Sequence, residues 1–173
     1  MIEPTWVRAM AAYNSEMNRR TYAAADTLSD EERRADRGAF FGGIHATLNH
    51  LVWGDRIWMS RFDGWEAPAV SIPGSTTLHA DWDELSSVRR ELDARIEDWA
   101  AGLISDTLNQ ELVWFSRSTQ RERRDPRWLA ITHFFNHQTH HRGQVHALLT
   151  RAGVSTQDTD LTAVVRRDSW CRS

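Results

Sequence analysis

The chain contains no lysine: all 21 of its basic residues are arginine, and 24 acidic residues outnumber them. The resulting net charge of −3 at pH 7 argues against a nucleic-acid-binding protein, since such proteins usually carry a strongly basic face. Five arginines do cluster between residues 117 and 127, but Glu122 and Asp125 interrupt the cluster. We interpret this segment as a solvated loop and expect no nucleic-acid partner.

Cysteine and long apolar runs are also scarce. Cys171 is the single cysteine, which excludes an internal disulfide, and its position near the C-terminus makes it a poor candidate for a nucleophile. No segment approaches the roughly 18 consecutive apolar residues of a membrane-spanning helix. The N-terminus also lacks the apolar core of a signal peptide. We therefore expect a cytoplasmic protein without a membrane partner.

The hydrophobic pattern predicts four long amphipathic helices in one domain that covers residues 1–173. With 40% hydrophobic and 26% charged residues, the composition is that of a globular protein. Apolar residues recur at intervals of three and four in the long segments, as on the buried face of a helix. The pair Ser29 and Glu32 has the spacing of a capping box and predicts a short helix near 30–36. The long helices are expected at about 5–25, 43–61, 81–101 and 126–152.

These elements predict an all-α fold, a four-helix bundle with long crossover connections. The connection from Trp65 to Leu78 carries two prolines and is interpreted as a loop. Between about 110 and 124, the β-prone run that begins at Leu112 predicts one short extended hairpin. Residues 154–173 are expected to form a polar tail that packs on the bundle through the apolar side chains of Leu161, Val164 and Val165.

The segment from Thr132 to Gly143 holds four of the eight histidines. His133, His137 and His141 recur every four residues, so they share one face of the fourth helix, the outer two about 40° on either side of His137. Their neighbours on this helix are apolar, which places the three histidines at the flank of a buried surface. Neutral imidazole is the commonest metal ligand in proteins, so the pattern favours a metal site. The alternative is a solvated helix that is merely rich in histidine.

Another histidine completes the site in this interpretation. Zinc and related ions need at least three protein ligands. His50 lies at the flank of an apolar stripe on the second long helix, whereas His45 lies about 140° away. If the two flanks meet between the helices, His50, His137 and His141 form one site. The alternative is that His50 makes ordinary hydrogen bonds at a helix interface.

The pairing of GIHATLNHLVWGDRIWMSRF in the second long helix with HFFNHQTHHRGQVHALLTRAG in the fourth resembles the DinB family of small metalloenzyme-like proteins. The resemblance extends over nearly the whole chain and is weaker in the first helix and in the late segment TDLTAVV. It implies an up-down-down-up four-helix bundle, frequent dimers, and a divalent metal ion held by three histidines. Carried over to this sequence, the ligands are His50, His137 and His141.

The resemblance also implies an activity. Related enzymes that share this bundle and triad are thiol-dependent transferases and isomerases, which work with low-molecular-weight thiols such as bacillithiol or mycothiol. We therefore expect a metal-dependent enzyme that acts on a small molecule, as an S-transferase or with a hydrolase-like activity. Zinc or nickel is the expected metal, since imidazole suits both. The alternative is a non-catalytic, metal-binding stress-response dimer.

Several residues are expected to support the ligands or to line the pocket. His133 is open to three interpretations, a fourth ligand, a proton carrier or a supporting residue, and we favour the last. Gln144 faces the same side and is expected to bond a ligand imidazole or a bound water. Trp53 lies about 60° from His50 and is expected to wall the pocket. His140 and His146 point further round the helix and are expected to be structural or solvated.

Two charged residues occupy core-facing positions on the ligand-bearing helices. Asp55 and Arg142 each lie about 140° from the ligand histidine of their own helix, within its apolar stripe. Because an unpaired buried charge is costly, we expect them to pair or to share a hydrogen-bonded network beside the site. The alternative is that each side chain reaches water separately. The exposed-looking Trp65 and Trp82, together with the resemblance, suggest a homodimer.

Overall fold

The computed structural model describes residues 2–116 and 119–165. Its four long helices lie within one residue of the predicted bounds at each end, and the predicted all-α bundle with one small hairpin is confirmed. The short helices and strands lie in the connections and in the last described segment. The elements are α1 Pro4–Asp26, α2 Asp30–Arg34, α3 Ile44–Phe62, a 3₁₀ helix Ile72–Thr77, α4 Trp82–Ala101, α5 Ser105–Leu108, β1 Glu111–Ser116, β2 Arg121–Pro126, α6 Arg127–Arg151 and α7 Leu161–Val164.

Side chains that accept hydrogen bonds from free backbone N–H groups fix two of the helix starts. The Ser29 hydroxyl accepts from the backbone N–H of Glu32, and the Glu32 carboxylate accepts from the backbone N–H of Ser29, which is the predicted capping box of α2. Asp81 accepts from the backbone N–H of Glu84 and starts α4 in the same way. α6 begins directly after Pro126, where β2 ends.

Each of α1 and α3 packs against both α4 and α6. Contacts between α1 and α6 advance together along the two helices: Trp6 meets Phe135 near their N-terminal ends, and Asn14 meets Arg142 further along. These two helices, the first and last of the bundle, are therefore parallel.

The second long helix, α3, runs against α6 and alongside α4. His50 contacts His141, and Phe62 contacts Phe134. Residue numbers therefore rise along α3 in the direction in which they fall along α6, and these two helices are antiparallel. Phe62 also stacks on Trp99, and Asp55, which precedes Phe62 on α3, pairs with Arg89, which precedes Trp99 on α4. Residue numbers therefore rise together along α3 and α4, and these two helices are parallel. The directions of the four helices along the chain are therefore up, down, down and up, and α3 and α6 face each other where the ligand candidates lie.

The bundle interior has two apolar clusters with a polar layer between them. One cluster gathers around Phe134 and Phe135, and the other around Leu48 and Leu148. The polar layer lies between the cluster residues of each long helix, and every long helix contributes to it. Its buried members are Asn14, Asn18, Asp55, Arg89, Asp93, Gln138 and Arg142.

The hairpin covers one end of the bundle. β1 and β2 pair in antiparallel register from Glu111–Pro126 to Ser116–Arg121. β1 alternates, with Leu112 buried and its neighbours exposed, whereas the charged β2 is almost fully exposed. The ring of Trp114 packs edge-on against Trp58 of α3, with the two centroids 5.7 Å apart. This contact brings β1 to the ligand-bearing helix.

The last described segment returns to α1. The hydroxyl of Tyr13 donates to the backbone carbonyl of Thr159 at 2.7 Å, and Arg20 donates to that of Asp158 at 3.0 Å. Cys171 lies outside the described residues. Across residues 2–116 and 119–165, no helix combines the length and the apolar character that a membrane crossing requires.

Trp82 corrects one expectation from the sequence. Its side chain is only 7% exposed, because the first residue of α4 lies against the end of α1. The indole ring stacks on Tyr22 with centroids 5.4 Å apart and donates a hydrogen bond to Asp26. Trp65 is half-buried. Trp82 therefore gives no support to a dimer surface.

Candidate metal centre

The bundle brings together His50 of α3 and His137 and His141 of α6. One ring nitrogen from each lies within 4.8 Å of the other two, and Nε2 of His50 is 3.2 Å from Nε2 of His137. Among the residues that the structure describes, this is the one group of three or more histidine, cysteine or carboxylate side chains that could share an ion. These are the three residues selected from the sequence.

A glycine lets the two helices approach at this point. Gly54 lies one turn after His50 on α3, and a Cβ atom at this position would stand 3.0 Å from Cε1 of His137. That separation is tighter than most real Cβ contacts, so with a side chain at this position the ring of His137 would have to shift by a few tenths of an ångström. Glycine inside a helix costs about 1 kcal/mol relative to alanine. This mid-helix glycine was the one signal in the sequence for a close approach.

Hydrogen bonds to the outer ring nitrogens orient two of the three imidazoles. Nδ1 of His141 lies 2.8 Å from Oε1 of Gln144, an oxygen that only accepts, so Nδ1 carries the proton and donates. Nδ1 of His50 lies 2.8 Å from the hydroxyl oxygen of Ser75. In His141 the lone pair is therefore on Nε2, and in His50 the Ser75 hydroxyl can accept from a protonated Nδ1, which leaves the lone pair on Nε2 there as well. Partners of this kind fix the tautomer and raise the basicity of a metal-binding histidine.

Ser75 reaches the site because α3 holds its loop. Asn49 donates to the backbone carbonyl of His79 at 3.1 Å and accepts from its backbone N–H at 2.7 Å. These two bonds fix the segment that follows the 3₁₀ helix Ile72–Thr77, in which Ser75 is fully buried. Sequence reasoning missed both residues: Asn49 stood directly before His50, but Ser75 is a serine in an irregular loop without any periodic signal.

Aromatic rings flank the triad. Phe41 precedes α3 and lies over His50 and His141, at centroid distances of 4.1 and 5.3 Å. Trp53, expected at the pocket wall, stacks against His50 with centroids 5.6 Å apart. Phe41 was also missed from the sequence, since it lies in the connection between α2 and α3.

Burial keeps the three imidazoles neutral. It lowers the pKa of His50 to about 4 and that of His137 to about 3, and it also lowers the pKa of His141. The positive charge that the neighbouring rings would carry adds to the effect at His50 and His137. Three neutral nitrogen donors at neutral pH fit a borderline ion such as zinc or nickel, and they do not suit magnesium or calcium, which prefer oxygen.

One side of the triad opens into a cavity of about 570 Å³. His50 and His137 line its inner end, and Trp58 and Trp114 line its walls. His133 also lines the cavity, with its ring 5.1 Å from that of Trp58, and it is not part of the three-histidine group. Its pKa is lowered, by burial first and then by the charge of a nearby arginine.

The remaining histidines of α3 and α6 lie away from this group. His45 is buried on another face of α3, beside Asn49. His140 is exposed, with Nε2 3.3 Å from the side-chain nitrogen of Gln144. His146 lies 3.2 Å from the hydroxyl of Thr156.

The expected direct pair of Asp55 and Arg142 does not form. Asp55 pairs instead with Arg89 of α4 at 2.6 Å and accepts a hydrogen bond from Gln138. Arg142 donates to Asn14 and, at 3.4 Å, to the side-chain oxygen of Gln138. The two residues therefore belong to one network, joined through Gln138. Of the two expected arrangements, the structure has the shared network, because α4 supplies the arginine that pairs with Asp55.

Comparison with known proteins agrees with this architecture. The model of the DinB family matches residues 1–168. The chain belongs to the DinB family. No curated protein matches it significantly.

Two solved structures share the fold of this DinB protein. A DinB-like protein from Bacillus cereus aligns with a TM-score of 0.62 and 18% identity, over 82% of this chain and 89% of the other. YfiT from Bacillus subtilis, described as a probable metal-dependent hydrolase with an unusual four-helix bundle topology, aligns with a TM-score of 0.59 and 16% identity, over 84% and 87%.

Proposed function

We propose that this DinB protein is a metal-dependent enzyme that acts on a small molecule, with one divalent ion held by His50, His137 and His141. The observation that carries the proposal is the cluster itself: three neutral ring nitrogens within 4.8 Å of one another, with two of the three histidines, His50 and His137, in the lining of a 570 Å³ cavity. Three protein ligands beside a cavity leave room for a further ligand, as in catalytic zinc sites. Zinc or nickel is the ion that we propose.

The residues around the triad have separate tasks in this proposal. When bound, the metal would supply Lewis acidity and lower the pKa of a coordinated water or thiol. Ser75 and Gln144 hold His50 and His141 in the tautomer that offers Nε2. Phe41 covers two of the rings and excludes water from that side. His133 lines the cavity wall as a supporting residue and is neutral at pH 7 because its pKa is lowered.

Two reaction classes remain within this proposal. Hydrolysis is supported by the description of YfiT, which shares the fold. Transfer to a low-molecular-weight thiol is supported by the resemblance of the two motif helices to thiol-dependent relatives. The cavity separates either enzyme from the non-catalytic metal-binding dimer, since a purely structural site would have no need for an open side.

Metal analysis tests the proposal first. Protein purified without a polyhistidine tag or nickel column is expected to retain close to one equivalent of a divalent metal by mass spectrometry of the elements. The variant His141→Ala should lose it, while His146→Ala, on the same helix, should keep it. A wild-type protein that retains no metal, or a His141→Ala variant that retains it fully, would refute the assignment.

Activity assays then separate the classes. The metal-loaded protein is tested against panels of esters and amides, and against electrophiles in the presence of a small thiol. Turnover that is lost on chelation and restored by added metal identifies the enzyme and its class. Full metal retention without turnover in both panels favours the non-catalytic protein.

We also propose, from the family resemblance, that the protein is a cytoplasmic homodimer. Phe40 is 79% exposed and Phe115 59% exposed, and burial of these rings against a second copy would remove apolar surface from water. Light scattering at micromolar concentration is expected to give about twice the chain mass of 20.0 kDa. A mass of one chain would refute the dimer.

A further inference from the structure

An arginine in the cavity wall has no ionic partner among residues 2–116 and 119–165. Arg61 lies in the last turn of α3 and lines the 570 Å³ cavity. Its guanidinium carbon lies 4.5 Å from the ring centre of Trp58 and 5.3 Å from that of Trp114. The group therefore contacts an indole of α3 and an indole of β1, which also contact each other, so its position is set by two separate elements.

The contacts that the structure gives to the Arg61 guanidinium are those with these two rings. Among the described residues, no carboxylate lies within ion-pair distance of it and no acceptor bonds it. Two other arginines of this region do have partners: Arg123 lies 3.4 Å from the carboxylate of Asp125, and Arg127 donates to the backbone carbonyl of Phe62 at 3.0 Å. Burial lowers the pKa of Arg61 to about 10, so it is still charged at neutral pH. A half-buried cation whose N–H donors bond no acceptor in the described part of the chain suits an anionic ligand.

Arg61 also lies close to the triad. The ring of His137 is 6.1 Å from that of His133, and the ring of His133 is 5.1 Å from that of Trp58, over which Arg61 lies. The cation and the ligand histidines therefore share one continuous wall of the cavity. A small molecule in the cavity can meet both.

A second cavity of about 360 Å³ adjoins the first and shares Arg61 with it. Its lining is mainly apolar and extends the shared wall of Trp53 and Trp114 towards Val70 and Phe115. The indole nitrogen of Trp53 donates to the backbone carbonyl of Val70 at 2.9 Å, so this wall is fixed. An apolar body of ring size has room beside Arg61, away from the triad.

We propose that the substrates of this protein are organic anions: Arg61 binds a carboxylate, the apolar body of the molecule lies along the shared wall of Trp53 and Trp114, and the reacting bond faces the histidine triad. This inference rests on the proposed function only where it places the reacting bond at the histidine triad. Recognition of the anion is a property of Arg61 and its cavity, and it is measurable without turnover and without metal.

The rival role for Arg61 is purely structural. Because it contacts both indoles, it ties the hairpin to α3 through cation–π contacts. A structural role predicts that Arg61 variants lose stability and have no effect on the choice between anionic and neutral ligands. The discriminating measurement is therefore a ratio of affinities for two ligands of the same shape.

The probes are 4-phenylbutyrate and its neutral analogue 4-phenylbutyramide, titrated into the zinc-loaded protein and followed by tryptophan fluorescence and calorimetry. The wild type is expected to bind the acid at least about tenfold more tightly than the amide, as a charge-assisted bond would give. Arg61→Gln should abolish this preference and leave amide binding unchanged, which also reports that the cavity is intact. Arg61→Lys should restore part of it.

The matched control is Arg95→Gln. Arg95 of α4 lies 3.8 Å over the ring of Trp65, outside both cavities, so its loss removes the same charge and the same kind of ring contact. The acid preference should survive in this variant. Equal binding of acid and amide by the wild type, or an acid preference that persists in Arg61→Gln, overturns the proposal.

Metal-free protein separates the two proposals. If the acid preference persists without metal and in His141→Ala, Arg61 recognises the anion whatever the fate of the metal assignment. If the preference disappears with the metal and survives Arg61→Gln, the carboxylate binds the metal and the Arg61 proposal is wrong. If the protein takes up no metal and Arg61 still discriminates, the proposed metal function fails while the anion site stands.

Discussion

At the scale of single residues, the site depends as much on a missing side chain as on the histidines. Glycine at position 54 lowers the helix propensity of α3, and the structure explains why a glycine lies there, because the ring of His137 fills the space beside it. Gly143 of α6 differs: a Cβ atom there would meet nothing within 4 Å. The two helical glycines of the ligand-bearing helices therefore provide a matched pair.

Gly54→Ala is expected to weaken zinc affinity at least about tenfold, because the new methyl group moves His137 away from the other ligands. Gly143→Ala should leave the affinity unchanged and stabilise the metal-free protein by about 0.5–1 kcal/mol. Zinc competition titrations and urea denaturation measure the two effects. Equal zinc affinity in both variants would contradict this account of Gly54.

Asp93 gives a pH prediction at the same scale. Burial raises its pKa from 3.8 to about 6, and the negative charge of Asp55 adds to the rise. Arg89 and Asn18, which bind the ionised carboxylate, oppose the rise without cancelling it. The folded state therefore holds a proton between about pH 4 and 6 that the unfolded chain releases. Binding of this proton stabilises the folded state, and the stabilisation is fully present below about pH 4 and is lost as the pH rises through about 6.

The test compares metal-free wild type with Asp93→Asn, in which this titration is absent and all other groups titrate as before. The free energy of unfolding of the wild type minus that of the variant should be larger at about pH 4.5 than at about pH 7.5. Urea denaturation at the two pH values measures it. A difference that is constant, or that grows with pH, would show that Asp93 is ionised throughout.

At the scale of elements, residues of the irregular connections support the metal-binding histidines that the helices carry. The histidines of α3 and α6 could be placed from the sequence because the helical period fixes the relative angle of residues one turn apart. Ser75 and Phe41 could not be placed, because a loop has no period and its path depends on tertiary contacts such as those of Asn49. Trp82 was misplaced for a related reason: its burial depends on the end of α1.

Ser75→Ala tests whether the loop after α3 supports the metal site. Loss of the hydroxyl removes the partner of Nδ1 of His50, and such losses typically weaken metal affinity about 10- to 100-fold. Ser71→Ala is the control, since Ser71 precedes the same 3₁₀ helix, is exposed and makes no capping bond. Zinc affinities that fall equally in both variants would indicate a general loosening of the loop.

At the scale of the whole molecule, a charged layer separates two apolar clusters. The buried pair Asp55–Arg89 joins α3 to α4, and Gln138 connects it to Arg142 of α6. Sequence analysis found the two charges on the ligand-bearing helices and the need to compensate them. It could not choose the partner, since that choice depends on which helices are neighbours in the up-down-down-up arrangement.

Removal of one member of this layer should be costly. Asp55→Asn or Arg89→Gln alone is expected to lower the free energy of unfolding by about 3–5 kcal/mol, because the other charge remains buried without its partner. The double variant should recover part of that loss, with a coupling well above about 0.5 kcal/mol in a double-mutant cycle. The exposed pair of Glu16 and Arg19 is the control, expected to contribute less than about 1 kcal/mol. Additive losses for Asp55 and Arg89 would contradict the pairing.

The distance along the chain between the paired ligands has a consequence for biosynthesis. His50 and His137 are 87 positions apart, so α3 leaves the ribosome well before α6. A nascent chain that ends before residue 137 holds one of the three donors, on α3, and cannot retain an ion with the affinity of the full triad. Since an ion that binds the native state alone stabilises that state by mass action, metal capture would act on chains that include α6 and give shorter translation products no protection from proteolysis.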